Sequence, residues 1–379
     1  MRFLHLADLH LGKRVNEFSM IEDQKFILKE VLNVIDENKV QSVLLAGDIY
    51  DKPVPPAEAV LLLNDFLTKL SEKNINVFAI SGNHDSAERI GFGADIMSSE
   101  GIYMAKPYDG TLSKITLTDE YGPLNIYMLP FVKPAIVRHA HEKMGFDDEI
   151  VTYDDAIKSI MEHTDIDEGE RNILIAHQFV TGGEKCDSEN ISVGGVDEVS
   201  GEHFDRFDYV ALGHLHGPQR VHSDKIRYAG TLLKYSFSEV NHKKSILLVD
   251  VNEKGNVEYS AIPVKPMHDM EIIEGTYDEL TAKSFYQDKD RFNYIHAVLT
   301  DEDEKINAME LLRTIYPNIM SLEYKNKRTK HNQDIKLETN IREKSQIELF
   351  DDFFEMQNNV RINDGQRDLL EQLIDEIWE

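Results

Sequence analysis

Cysteine and tryptophan are almost absent, one of each in 379 residues. With Cys186 alone no intrachain disulfide can form, which fits a reducing compartment. Its polar setting, Gly183-Glu184-Lys185-Cys186-Asp187-Ser188, reads as an incidental loop thiol rather than a nucleophile. No apolar run is long enough to cross a bilayer, and the start carries no basic, apolar, small-residue leader, so the expected location is cytoplasmic with no membrane partner. Positive charge is also scarce: 41 lysines and arginines face 69 acidic residues, a formal net charge of −28. That balance argues against a simple non-specific binder of nucleic acid, unless a metal site or a basic partner supplies local positive charge. The chain lacks a G-x-x-x-x-G-K-[ST] loop, which excludes P-loop nucleotide hydrolysis, and it carries no internal repeat or low-complexity tract.

What is present is an alternation of short β-type runs with longer helical patterns over the first two-thirds of the chain, the signature of a layered α/β domain. Five runs stand out: Phe3 to Ala7, Val43 to Ala46, Val77 to Ile80, Ile173 to Ala176 and Tyr209 to Leu212. Each is short and nearly continuous, as suits strands covered on both faces. Between them, Asp23 to Asn38 and Pro56 to Leu70 carry apolar residues at helical spacing. The runs 246–251 and 257–262, separated by Lys254-Gly255-Asn256, read as a hairpin.

Pro263 and Pro266 mark a boundary, giving a first domain over residues 1–265. A strand, helix, strand, helix, strand pattern then predicts a small α+β domain over 266–324. A basic linker (325–342) follows. The tail, 343–379, holds three basic against eleven acidic residues, yet Ile347, Phe350, Phe353 and Phe354, and then Leu369, Leu370, Leu373 and Ile374, recur at helical spacing. These predict two C-terminal amphipathic helices.

A residue able to bind metal follows each of the five runs at its carboxyl end, the edge where open α/β sheets bind ligands. The runs lead into Asp8 and His10, into Asp48, into Asn83 and His84, into His177, and into His214 and His216. Singly, each is ordinary strand-end or turn chemistry. Together they are not, because burying so many imidazoles and carboxylates at one edge is costly unless cations neutralise them. The seven candidate ligands Asp8, His10, Asp48, Asn83, His177, His214 and His216 exceed what one tetrahedral ion needs and suit two divalent ions sharing a carboxylate, for which Asp48 is the candidate.

In order, D-x-H at Asp8 and His10, G-D-x-x-D at Gly47 to Asp51, G-N-H-D at Gly82 to Asp85, the lone His177 and G-H-x-H at Gly213 to His216 resemble the motif set of the calcineurin-type metallophosphoesterases. The match runs from Phe3 to about Ile262. It implies an α/β/β/α sandwich in which Asp8, His10 and His216 surround one ion and Asn83, His177 and His214 the other. His84 directly follows a ligand, cannot easily reach the same ion and is free to face the substrate, stabilising the transition state or protonating the leaving oxygen; the resemblance gives it the same role. Asp51 stands where related enzymes place the acid that orients this histidine, although a turn or helix-capping aspartate would read the same way. Protein phosphatases of the family carry an arginine after that acid, and Lys52 stands there instead.

More narrowly, Met1 to Gly12, Gly47 to Asp51 and Asp208 to His216 resemble the bacterial Mre-type nuclease family, and the resemblance extends over nearly the whole chain. It implies a Mn²⁺-dependent DNA phosphodiesterase with ATP-dependent double-strand exonuclease (3′-5′) and single-strand endonuclease action. Such an enzyme serves DNA repair, recombination and replication by processing ends and hairpins. It also implies a small capping domain that helps admit DNA, and C-terminal helices that bind the coiled-coil base of an SbcC-type ABC ATPase, two copies of each subunit. A homodimer contact would be built on the helix from Pro56 to Leu70 and the segment Ile90 to Met97. Two other readings use the same residues: a phosphatase or cyclic-nucleotide phosphodiesterase on the same core, and a scaffold whose tail recruits a partner.

Overall fold

The five apolar runs form the strands Arg2–Leu6, Ser42–Ala46, Asn76–Ile80, Arg171–His177 and Tyr209–Gly213. They belong to two six-stranded sheets. In the first, the order is Val257–Pro263, Ser245–Val251, Arg2–Leu6, Ser42–Ala46, Asn76–Ile80, Ile102–Met104. Its last four strands are parallel, and the hairpin expected near 250 closes one edge in antiparallel pairing. The second sheet runs Gln219–Val221, Ser223–Tyr228, Tyr209–Gly213, Arg171–His177, Gly122–Leu129, Ser113–Asp119, parallel at its centre and antiparallel at both edges. The computed structural model from which these elements are read describes residues 1–189 and 197–326, together with 347, 350, 351, 354, 361–363, 365–367, 369, 370, 373 and 374.

The sheets lie face to face. Phe3, Leu44, Phe78 and Ile80 of the first share one core with Leu124, Ile126, Ile173, Ile175 and Tyr209 of the second. Alternate residues point the other way, as strand geometry requires. On the second sheet these are Tyr127, Leu129, Leu174, Ala176, Val210 and Leu212, covered by Val137 and Ala140 of the helix Pro134–Met144 and by Ala156, Ile157 and Ile160 of Tyr153–Glu162. On the first sheet the helix Ala57–Glu72 covers the strand Asn76–Ile80 and packs on Ile21–Asn38. The architecture is therefore the α/β/β/α sandwich implied by the motif set, and double covering explains why the core runs read as continuous.

The chain divides into two compact units, Met1–Asp269 and Met270–Glu379. The second holds a parallel sheet of three strands, Met270–Gly275, Tyr294–Leu299 and Ile319–Tyr324, with Leu280, Ala308, Leu312 and Tyr316 on its apolar face. Apart from the positions named above, the expected linker beyond Asn326 and the expected C-terminal helices lie outside the described residues.

Two buried polar groups tie the sheets together. His5, in the first sheet, contacts the Tyr209 hydroxyl through Nδ1 (3.0 Å) and the Leu212 carbonyl through Nε2 (3.1 Å) in the second. Burial pushes its pKa down to about 3, so it serves as a neutral cross-link. Arg171 pairs with Asp119 and donates to the carbonyls of Gly122 (2.6 Å) and Asn252 (2.9 Å), fastening the hairpin of one sheet to the edge of the other. Arg171→Ala should therefore lower stability in urea unfolding by about 2–4 kcal/mol, since it empties a buried site and strips the Gly122 and Asn252 carbonyls of their donor, while half-buried Asp119 keeps the Met1 amino group and the Tyr121 N–H. Removing the exposed ion pair of Arg220 should cost less than about 1 kcal/mol.

Candidate metal centre

Parallel pairing delivers the carboxyl ends of the core strands to one edge, and the seven candidate ligands all follow from it. Asp8 and His10 lie just beyond Arg2–Leu6, Asp48 beyond Ser42–Ala46 and Asn83 beyond Asn76–Ile80. His177 ends its own strand, paired in register with Gly213, which leads into His214 and His216. The two facing sheets meet here directly, because the Asp8 carboxylate accepts the backbone N–H of His214 at 2.9 and 3.1 Å.

Within the cluster two groups of ligand atoms can be distinguished. Asn83 Oδ1 lies 3.0 Å from both His177 Nε2 and His214 Nδ1. Asp8, His10 and His216 form a second group whose ligand atoms all lie within 4.8 Å of one another. Asp48 Oδ2 stands between them, 3.4 Å from His177 Nε2 and 3.7 Å from His10 Nε2.

The outer nitrogens decide which lone pairs face inward. His177 Nδ1 donates to the Ala46 carbonyl at 2.8 Å, which leaves the lone pair on Nε2. Ser188 Oγ donates to Glu239, so it accepts from His216 Nδ1 at 2.6 Å and again leaves the lone pair on the inner Nε2. That atom sits 3.1 Å from His10 Nε2, and buried His10 Nδ1 has no hydrogen-bond partner among the described residues. Lone pairs converging on carboxylate and amide oxygens repel unless a cation lies among them, so this donor set fits divalent ions of the kind the fold implies.

The electrostatics point the same way. Burial keeps His10 well below its usual pKa and His214 at about 3, so both stay neutral, the form that binds metal. Burial, reinforced by the charge of Asp48, pushes the Asp8 carboxyl well above its ordinary range against the pull of His177. His177 rises to about 9: burial opposes its charging, but Asp48 and Asp8 outweigh burial, so without cations the pocket draws a proton.

The backbone is bent to serve the cluster. Asp8, His10, Asp48 and His214 all adopt positive φ (52°, 44°, 48° and 105°), sparsely populated conformations that cluster at functional sites. Two glycines packed against them leave no room for a side chain. A Cβ at Gly82 would strike Asp48 Oδ1, and one at Gly213 would strike the Ala46 carbonyl that holds His177.

His84 donates its backbone N–H to Asp48 Oδ1 at 2.8 Å and brings Nε2 to 4.0 Å from Asp48 Oδ2. The expectation that the Asp51 carboxylate orients it is corrected. That carboxylate is taken by Lys13 Nζ at 2.7 Å and stands 3.6 Å from His10 Nδ1, while the main-chain carbonyl of Asp51 receives His84 Nδ1 at 3.0 Å. Other supports went unrecognised in the sequence. Asp85, last residue of G-N-H-D, accepts the backbone N–H groups of Ile49, Tyr50 and Gly82, tying two ligand loops together. Behind His216 lies buried Glu239, paired with buried Lys244, whose Nζ also donates to the His216 carbonyl at 2.8 Å. Nothing in the local pattern around Glu239 and Lys244 marks them.

The calcineurin-like phosphoesterase family matches residues 1–218, and a family described as the type 5 capsule protein repressor C-terminal domain matches residues 266–358. The SbcD subunit of the SbcCD nuclease from Staphylococcus epidermidis is 34% identical over 326 residues, 85% of each chain. Among solved structures, a dimetal phosphatase from Danio rerio is 12% identical with a TM-score of 0.40, covering 70% of this chain and 98% of its own. A Thermus thermophilus protein is 13% identical with a TM-score of 0.37, covering 69% and 98%. Likenesses at that level add nothing to the functional reading. The chain belongs to the calcineurin-like phosphoesterase family and, within it, to the SbcD family of nuclease subunits, which are metal-dependent hydrolases.

Gly213→Ala should lower thermal or chemical stability by about 1–3 kcal/mol or prevent folding, since the Ala46 carbonyl has no room to retreat. Gly217→Ala, whose added carbon meets nothing closer than 3.4 Å, should stay within about 0.5 kcal/mol of the parent.

Proposed function

We propose that Asp8, His10 and His216 hold one divalent ion, that Asn83, His177 and His214 hold the other, and that Asp48 bridges them in a phosphodiesterase acting on DNA. The observation that carries this reading is the convergence of inward lone pairs on Asp48 Oδ2 while the outer nitrogens of His177 and His216 are tied off. Mn²⁺ is the ion we expect, although imidazole with carboxylate also accepts Fe, Zn or Co.

When bound, the ions supply charge to the phosphate oxygens and acidity to a water positioned for in-line attack. The chain's own groups do the rest. Positive-φ turns and the Asp85 bracket hold the ligands in place before substrate arrives, so little reorganisation is needed. His84 brings Nε2 beside Asp48, where it stabilises or protonates the leaving oxygen. The Asp51 carbonyl accepts from Nδ1, so the proton for the leaving oxygen comes from Nε2 of the imidazolium.

DNA as substrate is supported by the likeness to a nuclease subunit over 85% of each chain. The partner in this reading is an SbcC-type ABC ATPase, in an assembly with two copies of each subunit; the relative's being a subunit of the SbcCD nuclease supports the pairing. Such a partner would supply the duplex grip that a net charge of −28 does not favour. Exposed Leu61 on the helix Ala57–Glu72, and exposed Phe92 and Ile96 within residues 90–97, support a homodimer contact on these segments. No described helix is long and apolar enough to cross a membrane. ATP-dependent double-strand exonuclease (3′-5′) and single-strand endonuclease action in a cytoplasmic repair and recombination enzyme completes the reading.

Incubation of the purified chain with linear duplex and Mn²⁺, with and without the ATPase partner and ATP, tests it. Cleavage is expected; fast turnover of small phosphate esters with DNA left intact in every mixture would overturn it in favour of a phosphatase. His84→Ala should retain its metal and lose about 10²–10⁴-fold in turnover. Loss of metal instead would move His84 into the ligand set.

A further inference from the structure

Outside the metal centre, and sharing no residue with it, a second group of ligand atoms converges where two helices end. His141 lies in the last turn of Pro134–Met144, His163 caps the carboxyl end of Tyr153–Glu162, and Asp148 stands in the loop between them. One carboxylate oxygen, Asp148 Oδ2, lies 3.2 Å from His141 Nδ1 and 2.8 Å from His163 Nε2. The three atoms all lie within 4.8 Å of one another. Around a tetrahedral zinc ion, with bonds of about 2.0–2.2 Å, neighbouring ligand atoms stand about 3.3–3.6 Å apart. Small side-chain shifts would therefore admit an ion.

The surroundings hold these groups as ligands are held. Ser159, buried on the second helix, donates to Asp148 Oδ2 at 2.8 Å and orients the carboxylate. Phe146 stacks on the His163 ring, centroids 3.7 Å apart and planes within 7°, and meets the His141 ring edge-on at 5.2 Å, so one aromatic side chain fixes both imidazoles. The outer nitrogen of buried His141, Nε2, lies 2.7 Å from the Tyr108 hydroxyl. A hydroxyl donates or accepts, so Tyr108 can receive Nε2–H and leave the Nδ1 lone pair facing Asp148.

A hydrogen-bonded network alone serves this group poorly. It needs a proton on both His141 Nδ1 and His163 Nε2, and with Ser159 three donors then crowd one oxygen that has two lone pairs. Among the described residues none reaches Asp148 Oδ1. A single cation would satisfy both nitrogens and the oxygen together. Helix carboxyl ends carry partial negative charge, and two of them beside a carboxylate favour positive charge at this point. Two imidazoles with one carboxylate suit Zn²⁺ rather than Mg²⁺ or Ca²⁺, which take oxygen shells.

We propose that His141, Asp148 and His163 bind one Zn²⁺, with water as fourth ligand, and that the ion staples loop 145–152 between the ends of the two helices covering the second sheet.

Equilibrium dialysis of the purified full chain against micromolar Zn²⁺, followed by metal analysis, tests the proposal. The parent should retain one Zn²⁺ per chain more than His163→Ala, and one more than Asp148→Asn, whatever number the Asp48 cluster takes. Both side chains are partly exposed, so both variants should keep the parent's circular dichroism. In crystals grown with Zn²⁺, an anomalous peak should lie about 2.0–2.2 Å from His141 Nδ1, Asp148 Oδ2 and His163 Nε2. Equal zinc in the parent and both folded variants, or no peak among these three residues, would overturn it.

Discussion

Asp8, Asp48, His10, His177, His214 and His216 are buried together at the meeting edge of two sheets, largely out of reach of water. Carboxylates and imidazoles in such a place need compensating charge, because desolvation is costly and neighbouring lone pairs repel. Protein groups supply part of it. Backbone N–H groups of His214 and His84 reach Asp8 and Asp48, and outer acceptors fix the tautomers of His177 and His216. The remainder falls to cations, and the left-handed turns at Asp8, His10, Asp48 and His214 are backbone strain held by the surrounding fold to keep those atoms in place.

Each of the two proposed ion sites draws on both sheets. Asp8 and His10 follow a strand of the first sheet while His216 follows one of the second; Asn83 comes from the first while His177 and His214 come from the second. On that assignment metal binding and sheet packing are coupled, since an ion held by both sheets acts as a clasp between them. His5 and the Arg171 and Asp119 pair clasp the same two layers by hydrogen bonds elsewhere, which holds the edges in register whether or not ions are present.

Much of this was legible in the sequence because strand burial and ligand placement share one cause. A strand covered on both faces reads as a continuous apolar run, and the first polar residues after it stand at the sheet edge, so Asp8, His10, Asp48, Asn83, His177, His214 and His216 announce themselves by position. The supports do not. Glu239 and Lys244 lie in a stretch with no regular period, and only tertiary packing brings them behind His216. His5 sits in a core run where spacing cannot tell a sheet-to-sheet cross-link from a ligand. For Asp51 the spacing brought the right residue near His84, but it cannot tell a carbonyl from a carboxylate, and Lys13 decides between them.

The central claim is that seven side chains from two sheets hold two ions with one carboxylate shared. Anomalous diffraction from crystals grown with Mn²⁺ tests it most directly. The account predicts two peaks per chain, one against Asp8, His10 and His216 and one against Asn83, His177 and His214, with Asp48 touching both. A single peak, or a second one away from Asp48, would contradict it.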